Sequence, residues 1–184
     1  MEAGNLGAYF AGRPDRELHS AIDDLQRCPI YHGNEARYFD TARSITAREP
    51  AGASSLAVAT WRYDEEPISQ FATHIAKLFQ NAVREDGLLS IADAGVAYFP
   101  GGFGTLREIF QDLAQNGSAE PVRQMAMVFV DAATYGRPGS PFHLARARAA
   151  RAAAPFDDLI TLADSADAVV AAMTAARGRF HRAR

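Results

Sequence analysis

Apolar residues return at helical spacing through the first part of the chain. Leu6, Tyr9 and Phe10 predict a helix over Met1 to Phe10, stopped by Gly12 and Pro14. Asp15 is placed to cap a second helix, in which Leu18, Ile22 and Leu25 form one stripe. A third helix is compatible with Glu35 to Ala47. Leu56 to Trp61 is a short apolar run between Gly52-Ala53-Ser54-Ser55 and Asp64-Glu65-Glu66-Pro67, which predicts a buried strand. From Ser69 to about Ile91 the spacing of Phe71, Ile75, Leu78, Phe79 and Ala82 predicts the longest helix, with a break allowed at Gly87. On that reading His74, Lys77, Asn81 and Arg84 share its opposite face.

Three further apolar runs alternate with helical patterns. Gly95 to Phe99 predicts a strand, and a helix bearing Leu106, Phe110, Leu113 and Ala114 follows it. Met125 to Val130 precedes a helix near Phe142 to Ala153, and Leu159 to Leu162 precedes one from Ser165 to about Ala176. Strands alternating with helices imply an α/β fold, a parallel sheet with helices on both faces. Residues 1–176 read as a single domain and 177–184 as a basic, disordered tail, since chain ends are usually poorly ordered.

Composition narrows the function classes. A chain of 184 residues with 48% hydrophobic content can build one sizeable core. A net charge of −3 provides no broad positive field, so a nucleic acid polymer is disfavoured as a partner. Cys28 stands alone, which excludes an intrachain disulfide and a cysteine-rich metal site. With no secretory signal and no apolar stretch of membrane-spanning length, a cytoplasmic protein without membrane attachment is expected. Lys77 is the sole lysine, so pyridoxal-phosphate chemistry would have to use it. Nothing around Lys77 suggests that role.

Candidate chemistry concentrates in Phe99-Pro100-Gly101-Gly102-Phe103-Gly104-Thr105-Leu106-Arg107-Glu108. Glycines at 101, 102 and 104 permit positive φ and leave room for backbone amides to converge at the start of a helix. A helix N-terminus favours a phosphate there, and Thr105 adds a hydroxyl. Spacing alone is equally compatible with a tightly packed turn whose glutamate is favoured by the helix dipole. Glu85 and Asp86 read as a helix-terminal polar pair rather than as catalytic acids. His74 reads as a surface histidine, Lys77 as a solvated charge or a phosphate contact, and Trp61 as a strand residue more readily than a base-stacking one.

The run Pro100 to Glu108 matches PGGxGTxxE in every specified position, and in this it resembles the LONELY GUY (LOG) family, formerly labelled lysine decarboxylase-like. Met1-Glu2-Ala3, Phe71 to Lys77 and Asn81 to Leu89 are similar to longer LOG-like nucleosidases. The resemblance implies a Rossmann-like fold, a homodimer, and hydrolysis of the N-glycosidic bond of a nucleoside 5′-monophosphate of the AMP or cytokinin type. It assigns catalysis to Glu108, assisted by Arg84, and nucleotide binding to Gly101, Gly102, Gly104, Thr105, Glu2 and Lys77. No cofactor and no metal are implied.

Relatives carry another glycine-rich loop and further strands before Met-Glu-Ala, so the chain is expected to be N-terminally truncated relative to the family. Such a fragment would leave sheet edges exposed. The competing expectation is a non-catalytic nucleotide-binding module or an inactive remnant.

Overall fold

The computed structural model describes residues 2–28, 31, 33–48, 50–61 and 68–182, leaving aside the side chains of Glu2, Ala3 and residues 178–182. It divides into two compact units, Met1–Arg84 and Glu85–Arg184.

The first unit opens with α1 (Glu2–Tyr9), α2 (Asp15–Gln26) and α3 (Glu35–Arg48). Their apolar stripes meet in a core of Leu6, Tyr9, Phe10, Ala21, Ala42, Ile45 and Phe71, with Leu18, Ile22 and Leu25 packed against it as the periodicity expects. Asp15 does not cap α2. Pro14 occupies the N-cap position without a side-chain hydrogen bond, and Asp15 joins Glu17 in the first turn, where a negative charge suits the helix dipole.

Two strands follow, β1 (Leu56–Thr60) and β2 (His74–Leu78), paired in parallel with Leu56 opposite His74 and Thr60 opposite Leu78. The long helix expected from Ser69 is therefore corrected. His74 to Leu78 is a strand, and the helix, α4 (Asn81–Ile91), begins only afterwards and crosses the boundary between the units. A short apolar run satisfies periods of both 2 and 3.6. Here the backbone ladder with β1 decides, a long-range partner that local spacing does not reveal. His74 and Lys77 consequently share no helical face with Arg84. Gly87 does not break α4.

The second unit contains a three-stranded parallel sheet in the order β3-β4-β5: β3 (Gly95–Tyr98), β4 (Ala126–Val130) and β5 (Ile160–Ala163). Its helices are α5 (Phe103–Ser118), α6 (Ala132–Tyr135), α7 (Pro141–Ala149) and α8 (Ala166–Arg182). The fold is thus mixed α/β with short parallel sheets. Strand β4 is central and almost wholly buried, which is why Ala126-Met127-Val128-Phe129 reads as an uninterrupted apolar run. Its side chains join Ile109 and Leu113 of α5, Phe142 of α7 and Phe156 in one core. The turn of helix at α6 was not expected from the sequence, and α8 continues past Ala176 to Arg182.

Gly95 opens β3 at φ +132°, where an added Cβ would lie 2.5 Å from the Ala126 carbonyl oxygen. Both the conformation and the close approach require glycine. Gly95→Ala is expected to lower stability by at least about 1–3 kcal/mol in urea titration, from backbone strain alone.

Candidate functional site

Strand β3 delivers the chain into the turn Phe99-Pro100-Gly101-Gly102, all of it exposed, and α5 begins at Phe103. The Tyr135 hydroxyl, from α6, donates to the Phe99 carbonyl at 2.9 Å and anchors the entrance to the turn. Gly102 is the N-cap residue of α5 and supplies no side-chain cap. The first backbone bond of the helix runs from the Leu106 amide to the Gly102 carbonyl at 3.2 Å. The amides of Phe103, Gly104 and Thr105 precede it in the first helical turn, whose N–H groups have no acceptor inside the helix. That is an anion-binding arrangement.

Glycine's contribution differs from the sequence expectation. None of Gly101, Gly102 and Gly104 has positive φ, so conformational freedom is not why they are glycine. At Gly101 a Cβ would stand 2.1 Å from Thr105 Oγ1, because the threonine side chain folds over that residue. At Gly102 and Gly104 a Cβ would meet nothing within 4 Å. Protein packing thus accounts for one of the three glycines, and the other two border open space above the first turn of the helix.

Two substitutions separate these roles. Gly101→Ala forces Thr105 aside and is expected to lower the melting temperature. Gly102→Asp places a good N-cap residue on α5, which supports the helix by a few tenths to about 1 kcal/mol. Its carboxylate then occupies the space in which a phosphate would bind. A melting temperature that holds or rises, with nucleotide affinity down at least about tenfold by calorimetry, is the expected result.

Glu108 lies farther along α5 and is half-buried. The side chain therefore does not project wholly into solvent. Its charge adds to the effects that keep Tyr98 protonated: burial first, then the charge of Asp112 and a hydrogen bond to it, then Glu108, all of which raise the phenol.

The start of α5 is held from α4 as well. Glu85 is 3% exposed and forms an ion pair with Arg107, and Asp86 accepts from Gln111 and, at 3.4 Å, from Gln115. These two acids do not sit at a helix end, as the sequence suggested; they tie α4 to α5 on either side of Glu108.

A second device lies beneath the turn. The Tyr98 hydroxyl donates to Asp112 Oδ2 at 2.6 Å, and Asn116 Nδ2 donates to Oδ1 of the same carboxylate at 3.1 Å. Asn116 Oδ1 in turn accepts from the Met125 amide at 2.8 Å. Asp112 is fully buried, and desolvation raises its carboxyl to about 6 despite the opposing bond from Tyr98. This chain of bonds links β3, α5 and the segment entering β4. Sequence reasoning missed it, although the signal exists: Asp112 and Asn116 stand three and seven residues after Ile109, on the stripe that α5 buries.

The structure thus brings together Gly101, Gly102, Gly104, Thr105 and Glu108 on one turn and one helix. The remaining candidates, Glu2, Lys77 and Arg84, belong to the first unit. The backbone of Glu2 is in α1, and its side chain is outside the described residues. Arg84 is half-buried in the first turn of α4. Lys77, on β2, places its ammonium 4.2 Å from the Trp61 ring centre. Trp61 is 54% exposed and stacks on Phe79 at 6.1 Å, which corrects the expectation that its strand buries it. His74 is exposed, with Nδ1 3.0 Å from Thr73 Oγ1.

Among the described residues, no group of three or more His, Cys, Asp or Glu side chains is placed to hold a metal ion. Among them, too, no helix is long and apolar enough to cross a membrane. No protein-family profile and no curated protein sequence matches the chain.

Proposed function

We propose that the chain is a LOG-type phosphoribohydrolase, releasing the base and ribose 5-phosphate from a nucleoside 5′-monophosphate such as AMP or a cytokinin riboside monophosphate. The observation that carries this reading is the uncapped N-terminus of α5, bordered by two glycines that packing does not require, with Glu108 on the same helix. The full match of Pro100 to Glu108 to the family motif supports it from the sequence. A Rossmann-like arrangement of the fold belongs to the same proposal.

In this mechanism the amides of the first turn of α5 and the Thr105 hydroxyl hold the 5′-phosphate. Breaking the glycosidic bond develops positive charge on the ribose, and a carboxylate beside it stabilises that charge. Glu108 serves in this way and takes a proton from the water that attacks the sugar carbon, while the base leaves with the electrons of the glycosidic bond and takes up a proton from solvent. Arg84 assists, and Lys77 and Glu2 contribute to nucleotide binding, roles that rest on the family resemblance.

A homodimer is part of the proposal. Phe99 and Phe103 flank the turn at 63% and 91% exposure, apolar surface of the kind that a second subunit covers. Incubation with a panel of nucleoside monophosphates, followed by chromatography of the products, tests the activity. Free base and ribose 5-phosphate are expected. A folded sample that releases no base from any of them overturns the hydrolase reading, and binding without turnover would make the chain a nucleotide-binding module.

A further inference from the structure

In the second unit a cavity of about 530 Å³ opens between the C-terminal half of α5 and the end of α7. Its apolar wall is formed by Phe110 and Leu113 of α5, Ala149 of α7 and Phe156 in the segment beyond it. Leu113, Ala149 and Phe156 are buried, so this wall belongs to the core rather than to loose surface. Arg148 and Arg151 line the same cavity and are exposed, and no acidic residue lines it. Among the described residues neither arginine forms an ion pair. Basic residues at a helix C-terminus need no ligand to explain them, since they complement the dipole. The dipole does not account for two guanidinium groups at an apolar cavity whose lining contains no carboxylate.

The volume falls within the range of small-molecule sites, about 300–1,000 Å³. Such sites combine apolar walls with a few polar groups that fix orientation. Apolar surface and two fork-shaped cations in one cavity match one ligand chemistry: an anion with an apolar body, its carboxylate or other oxyanion paired with the guanidinium groups. A neutral apolar molecule would leave the charges unused, and a small hydrophilic anion would leave the wall wet.

We infer that the α5–α7 cavity is a binding site for a small amphipathic anion, distinct from the glycine turn at the opposite end of α5. The site is independent of the nucleotide proposal.

Calorimetric titration of the full chain with octanoate and with octanol tests the inference, because the two share a chain and differ in charge. Saturable octanoate binding is expected, at least about tenfold tighter than that of octanol, and weakened by salt. The double substitution Arg148→Ala/Arg151→Ala is expected to bring octanoate down to the octanol level. Ala114→Trp, which keeps both arginines and fills the cavity from an exposed helical position, is expected to abolish binding of both ligands. Equal affinity for the two ligands, unchanged octanoate binding in the double variant, or no saturable binding of octanoate overturns the inference.

Discussion

Glu108→Gln is expected to lower the turnover of AMP by about 10²–10⁴, the usual contribution of a positioned acid or base. Glutamine keeps the size of the side chain and removes its negative charge and its capacity to accept a proton. The first turn of α5 is unaltered, so AMP affinity measured by calorimetry should change little. That division matters, because a substitution that lowers turnover while leaving binding intact removes an interaction made in the transition state. A variant as active as the parent would show that the half-buried carboxylate on α5 has no chemical part. A variant that lost binding as severely as turnover would assign it to the ground state instead.

The buried carboxylate of Asp112 should govern stability rather than rate. Asp112→Leu leaves the Tyr98 hydroxyl and the Asn116 amide without their acceptor in the core, at about 1–3 kcal/mol for each group. A loss of about 2–6 kcal/mol in urea denaturation is expected at about pH 4, where the buried carboxyl is protonated and bears no charge that leucine would relieve.

The pH dependence follows from the direction of the shift. Burial raises the carboxyl from 3.8 to about 6, so between those values the folded chain holds more protons at this site than the unfolded chain. The contribution of Asp112 to stability therefore falls as pH rises through that window, and above about pH 6 the full cost is present, about 3 kcal/mol. Asp112→Asn does not titrate. Its amide can donate to Tyr98 Oη while its oxygen accepts from Asn116, which preserves the links between β3 and α5. Relative to the parent, it should gain about 3 kcal/mol between about pH 4 and pH 7. A difference between the two proteins that stays flat with pH would contradict the burial of an ionisable group there.

The second unit was the more legible half. Its strands announce themselves as apolar runs bounded by turn residues, because β4 is buried on both sides and its neighbours pair with it in chain order. The glycine turn was visible for the same reason, since a strand, three glycines and a helical stripe stand together within a few residues. What each glycine does was not visible. The contact of Gly101 with Thr105 is a matter of side-chain placement, and the φ values of all three are ordinary.

In the first unit, β2 was misread as helix because its identity rests on pairing with β1 across an intervening segment. The polar residues tying α5 to its neighbours were hidden for a related reason. Tyr98 and Asp112 meet only once β3 and α5 pack, and Glu85 finds Arg107 only across two helices. Amphipathic analysis treats Asp112 and Asn116 as interruptions of a stripe. In the folded chain they are its hydrogen-bonded interior.

The most direct test of the central claim compares AMP with adenosine as substrates for the purified chain. If the amides at the start of α5 bind the 5′-phosphate while Glu108 acts at the sugar, AMP is cleaved to adenine and ribose 5-phosphate with kcat/KM at least about a hundredfold above that for adenosine. Equal cleavage of the two, or hydrolysis that persists undiminished in Gly102→Asp, would contradict it.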